Sequence, residues 1–153
     1  MVSEQYVEFE TAKLLREKGF DADCEYVYTN DGTEKRVCAE HFMEGESCVN
    51  NSDIERVAKY DGWITYTQGD YAYLCPTQAM ALRWLREEKH YYIQIMLDSW
   101  ALGGHSGYYI VIQDINSDFE EVSPAVNDND DVFFKTYEEA AEAAIKYVLE
   151  KLV

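Results

Sequence analysis

Residues 75–97, CPTQAMALRWLREEKHYYIQIML, constrain the fold more than any other stretch, because one run dictates a helix start and a change from helix to strand. Pro76 disfavours helical geometry at Cys75, and the Thr77 hydroxyl can cap a first turn. Met80, Ala81, Trp84 and Leu85 recur at three- and four-residue spacing, so a helix puts them on one face. Arg83, Arg86, Glu87 and Lys89 fall mostly away from it. Tyr91 to Leu97 then reads as a strand and Gly107 to Gln113 as a second. Joined by the loop DSWALGGHS, the two most simply pair antiparallel.

The same logic places the other elements. Ser3 is positioned to cap a helix over residues 4–18, with Val7, Ala12, Leu14 and Leu15 as its core stripe. Gly19 followed by Phe20 is the pattern of a left-handed C-terminal cap closed by an apolar contact. CEYVYT at 24–29, the turn signal Asn30-Asp31-Gly32 and a return through Lys35 to Ala39 predict a hairpin. Residues 43–53 read as a loop and Ile54 to Tyr60 as a short helix. Trp63 to Thr67 and Tyr71 to Leu74 read as short strands around Gln68-Gly69-Asp70. Residues 114–131 form an acidic connection, and Val132 to Phe134 an edge strand. The last helix opens on a capping box, Thr136 with Glu139, with Phe133 or Phe134 as a staple. Its stripe is Tyr137, Ala140, Ala141, Ala144, Ile145, Val148, Leu149 and Leu152, and Glu142 with Lys146 is expected to form an exposed pair.

Three helices interspersed with strands in hairpins predict an α+β domain, an antiparallel sheet of about four to six strands with the helices packed mainly on one face. A chain of 153 residues without repeat or linker is economically one domain over residues 1–153. Its formal net charge of −17 is the strongest compositional deviation. The acid concentrates in residues 21–75 and 98–135, and residues 76–97 are the net-positive segment. Such a balance opposes direct binding to nucleic-acid phosphates or anionic membrane surfaces and permits a basic protein partner. MVSEQYVEFE has no apolar core behind a basic start, and no apolar run is long enough to span a bilayer. A cytoplasmic location is the resulting expectation, with Cys24, Cys38, Cys48 and Cys75 reduced.

Three segments, ETAKLLREKGF at 10–20, PTQAMALRWLRE at 76–87 with the strand beyond it, and TYEEAAEAAIKYVLEKL at 136–152, resemble those of an uncharacterised small-protein family of gut Bacteroidota and their phages or mobile elements. The resemblance implies a bacterial or phage origin and an accessory role. It carries over no catalytic residue, because the family has none assigned, and the matching segments, made of caps and core stripes, specify no function.

Cys24, Cys38, His41 and Cys48 are the residues that resemble metal ligands, and thiolate with imidazole suits zinc. Cys38-x-x-His41 has the spacing of half a knuckle, but the distances to Cys24 and Cys48 are not those of a finger or ribbon. Cys24 and Cys38 meet only if they face each other across the hairpin. GGHSG at 103–107 fails as a nucleophile elbow, since Ser106 is followed directly by Gly107 between two strands. His105 and Trp100 in that loop are candidate ligand contacts. Asn127 to Asp131 lacks the glycine of an EF-hand loop.

Tyr26, Tyr28, Tyr66, Tyr71, Tyr73, Tyr91, Tyr92, Tyr108 and Tyr109 fall mostly on expected strands, where tyrosine is favoured anyway. Adjacent pairs must point to opposite faces, so one of each pair is expected outward, with Tyr92 and Tyr109 as candidate binding residues. An exposed tyrosine patch ringed by acid suits a protein partner or self-association. The leading expectation is therefore a non-enzymatic acidic interaction protein without a cofactor. Two alternatives are an acidic mimic of DNA that occupies a nucleic-acid-binding host protein, and a small-ligand or metal-binding protein or enzyme with a pocket near His41, His105 and Trp100.

Overall fold

Gly19 adopts φ 93°, and this left-handed residue ends the first helix as the sequence predicts. The Phe20 amide donates to the Leu15 carbonyl (2.9 Å) and the Gly19 amide to that of Arg16 (3.1 Å), the paired bonds of a Schellman motif. In the computed structural model, which describes residues 4–30, 34–60, 72–99, 107–123 and 133–153, that helix is α1, Phe9–Glu17. It starts later than Ser3 implies. The backbone ahead of it is extended, Tyr6 bridging to Thr77 and the Val7 amide donating to the Pro76 carbonyl, so those groups are unavailable to a helix.

The chain divides into two compact units, residues 6–77 and residues 1–5 with 78–153. In the first, β1 (Tyr26–Asn30) is flanked on both edges, by β2 (Glu34–Cys38) and by β3 (Ala72–Cys75), all antiparallel. Phe9 of α1 sets its ring edge-on against Tyr28 and Tyr73, each at 5.6 Å, so α1 covers the tyrosine face of this sheet. The Arg16 guanidinium, 5.5 Å from the Tyr73 ring, donates to the Ala72 carbonyl. A short helix, α2 (Ala39–Phe42), follows β2 directly.

The next helix, α3 (Asn51–Tyr60), begins inside the stretch read as a loop. Its start is a reciprocal cap: the Asp53 amide donates to Asn50 Oδ1 and the Asn50 amide to the Asp53 carboxylate, both at 3.1 Å. That signal lies in short polar residues, which a search for apolar periodicity passes over. Expectations at Trp63 to Thr67, Gln68-Gly69-Asp70 and Asp31-Gly32 lie outside the described residues.

In the second unit α4 (Gln78–Glu88) leads through Lys89 and left-handed His90 into β4 (Tyr91–Asp98). β4 pairs over its whole length with β5 (Gly107–Asp114), and a two-residue β6 (Glu120–Glu121) adds to the far edge of β5. Phe134 also bridges to Tyr108. Thr136 caps α5 (Tyr137–Tyr147) as expected, its hydroxyl accepting from the Glu139 amide at 3.1 Å, and a π-helical turn extends the helix to Leu152. Glu142 departs from its expected exposure. It is buried and accepts from Gln78 Nε2 (3.0 Å), which also donates to the Glu138 carbonyl. One residue beside the alanine stripe, it turns toward α4 rather than water.

The described residues thus form an α+β protein with five helices and six strands, in two three-stranded antiparallel sheets. This corrects the expectation of one larger sheet with three helices. Each hairpin takes its third strand, β3 or β6, from within its own unit. No helix of the described residues is long and apolar enough to cross a membrane.

Candidate functional site

The register of the β4–β5 hairpin sorts its tyrosines. Tyr92 lies opposite Gln113, Gln94 opposite Val111, and Met96 opposite Tyr109, so these six share one face. Tyr91, Ile93, Ile95, Leu97, Tyr108, Ile110 and Ile112 share the other. The second set is the helix side: Ile112 is fully buried, the Tyr91 hydroxyl donates to the Leu152 carbonyl (3.2 Å), and the Tyr108 ring meets Tyr137. Burial, and then the Asp114 carboxylate across the ladder, push the Tyr91 phenol up, which keeps it a neutral donor.

Tyr26, Tyr28 and Tyr73 are likewise engaged within their own unit. Tyr26 stacks edge-on with Tyr6 (4.9 Å) beneath the Arg36 guanidinium, and Tyr28 donates its hydroxyl to the Val7 carbonyl. Tyr66 and Tyr71 lie outside the described residues. Tyr92 and Tyr109, the candidate binding residues, lie on the sheet face opposite the α5 side.

That face is half-buried to exposed throughout. Tyr92, Gln94, Tyr109, Val111 and Gln113 are half-buried, and Met96 is 40% exposed. Phe133 sets its ring against Tyr109 at 6.2 Å and extends the apolar area. Carboxylates mark its two ends, Asp98 opposite Gly107 and Glu121 opposite Gln113. Sequence reasoning missed Gln94, Met96, Val111 and Gln113. Period-two alternation from Tyr92 finds the first two, whereas the others need the cross-strand register.

The metal candidates are placed differently. Cys24 does not open β1; it bridges to Val49, and it is buried. Cys38 is exposed and lies opposite Tyr26, so the hairpin does not bring it to Cys24. His41 is exposed on α2, and Cys48 is half-buried beside Val49. Among the described residues no three His, Cys, Asp or Glu side chains are grouped to hold a metal ion. Trp100 and His105 lie outside the described residues.

Burial, and then the Cys75 and Cys48 thiols, pushes the Cys24 thiol up to about 12 from 9.0. The folded chain therefore keeps this thiol protonated at a pH where the unfolded chain ionises it. Its contribution to stability is full below pH 9.0 and is lost as pH rises toward about 12. Denaturant titrations across that window are expected to show the native chain losing about 1.4 kcal/mol more per pH unit than Cys24→Ala. Parallel pH profiles would contradict it.

Comparison with family models, with curated proteins and with solved structures finds no match to this chain.

Proposed function

We propose that this chain is a non-enzymatic accessory protein that works by protein–protein contact, through the open face of its second sheet. The observation that carries this reading is the hairpin register, which gathers Tyr92, Met96, Tyr109 and Val111 between Asp98 and Glu121. Rigid aromatic rings with a polar tip, set in a patch with acid at its ends, are the composition of a contact surface. The acid at the ends and the net charge of −17 favour a partner whose own patch is fringed by Lys and Arg. On the resemblance of its three segments to small proteins of gut bacteria and their phages, that partner would be a bacterial protein.

The test is a photo-crosslinking residue introduced at Val111, at the centre of the face, and at Glu55, exposed on α3. Irradiation in bacterial extract is expected to give a discrete adduct to another protein from position 111 and none from position 55. Identical adducts from both positions, or none from 111, would overturn the reading.

A further inference from the structure

The outer edge of β4 is a row of outward-pointing backbone groups. On β5, Tyr108 exchanges both its bonds with Phe134 (2.8 Å each) and the Ile112 carbonyl accepts from the Val122 amide (2.8 Å), so even-numbered residues of β5 point away from β4. Along a strand the bonding side alternates, so odd-numbered residues of β5 bond to β4, where their partners are Tyr92, Gln94, Met96 and Asp98. The Ile115 amide donating to the His90 carbonyl (2.9 Å) continues that pattern. Tyr91, Ile93, Ile95 and Leu97 therefore send their N–H and C=O groups outward, over about 20 Å of edge.

Among the described residues no strand pairs with β4 on that side. Among the described residues the edge also lacks the charges, prolines and bulges that block pairing. From Tyr91 to Leu97 there is no charge, proline or glycine, the eight-residue ladder has no bulge, and Leu97 is 58% exposed.

We propose that β4 pairs antiparallel with β4 of a second copy of this chain, joining two three-stranded sheets into one of six. The sequence of the strand is self-complementary about Gln94. Outward residues must face outward residues, which requires a two-fold axis through a residue of the strand. With the axis at Gln94, Ile93 faces Ile95 and Tyr91 faces Leu97 of the copy as bonded pairs, and Tyr92 faces Met96. One step further, His90 falls opposite Asp98 of the copy at both ends, so the charge at the strand's end meets an imidazole. Moving the axis to Ile95 would instead set Asp98 against Tyr92 inside the ladder. The axis stands perpendicular to the sheet, so both α5 helices lie on one side and the two open faces merge on the other. This pairing rests on the backbone edge and does not depend on the contact proposed for the face.

The two copies each carry −17, so their association is expected to tighten as salt screens that repulsion. Sedimentation velocity of the full chain from about 1 μM to about 1 mM is expected to show a monomer–dimer equilibrium. The dimer fraction is expected to rise between about 0.05 and 0.5 M salt. Gln94→Lys puts two like charges directly opposite on the side away from α5, and should weaken the dimer by about tenfold or more. Gln94→Glu should do the same, and an equal mixture of the two variants should restore a dimer of mixed composition. Rescue in the mixture excludes simple misfolding as the cause. A native chain that stays monomeric throughout, a dimer indifferent to Gln94→Lys, or a mixture that stays monomeric would each overturn the proposal.

Discussion

Truncating Phe20 to alanine is expected to destabilise residues 6–77 by about 3–5 kcal/mol, a large part of the margin of an ordinary domain. Its ring is 2% exposed, and its backbone is fixed twice: by the amide bond to Leu15 and by its carbonyl, which accepts from Asn51 Nδ2. Those bonds hold the alanine in place, so the void left by the ring cannot close by a shift of the turn. Phe20→Leu keeps most of the volume and is expected to cost under about 1.5 kcal/mol. Urea denaturation gives the magnitudes. Hydrogen exchange should locate the Phe20→Ala loss in α1 and β1. A change below about 1 kcal/mol would mean that this ring is not the apolar anchor of its unit.

Leu85→Ala is expected to destabilise the second unit toward the upper end of about 2–5 kcal/mol. The inner surface of α5 is made largely of alanines, with Ala140, Ala141 and Ala144 fully buried. Alanines have no side-chain rotamers with which to fill a new void. Packing volume there comes from few large side chains, Leu85, Ile112, Ile145 and Leu149, each fully buried. Leu85→Met should be tolerated at under about 1.5 kcal/mol. If Leu85→Ala costs no more than Leu85→Met, the helices relax into the gap and the small residues do not set their separation.

Much of this fold was legible because its signals are local. Gly19 with Phe20, Thr136 with Glu139, and the period-two runs at 91–97 and 107–113 each act within a few residues. What was not legible depends on pairing across distance. β1 takes β3 from the far end of its unit, which no residue near Tyr26 announces. That choice completes the first sheet within its own unit. The alanine stripe of α5 was readable, but the burial of Glu142 depends on where α4 delivers Gln78. At the candidate site the alternation of Tyr91 with Tyr92 and of Tyr108 with Tyr109 was visible. Which member of each pair faces outward became clear only from the register and the position of α5. Cys24 and Cys38 could meet only if they faced each other across the hairpin, and the register, which sets Cys38 against Tyr26, is what decides that condition.

The central claim is that the face bearing Tyr92 and Tyr109 binds another protein. Its most direct test is quantitative capture from bacterial extract by the native chain and by a Tyr92→Glu, Tyr109→Glu variant, at about 0.1 M and 0.5 M salt. Interface tyrosines of this kind are worth about 2 kcal/mol each when truncated, so the double variant should lose binding at least tenfold. The account predicts a partner retained by the native chain at both salt concentrations and depleted on the variant, with circular dichroism unchanged. Equal retention by both proteins would contradict it, as would retention that disappears with salt alone, the behaviour of an acidic decoy rather than of an aromatic contact surface.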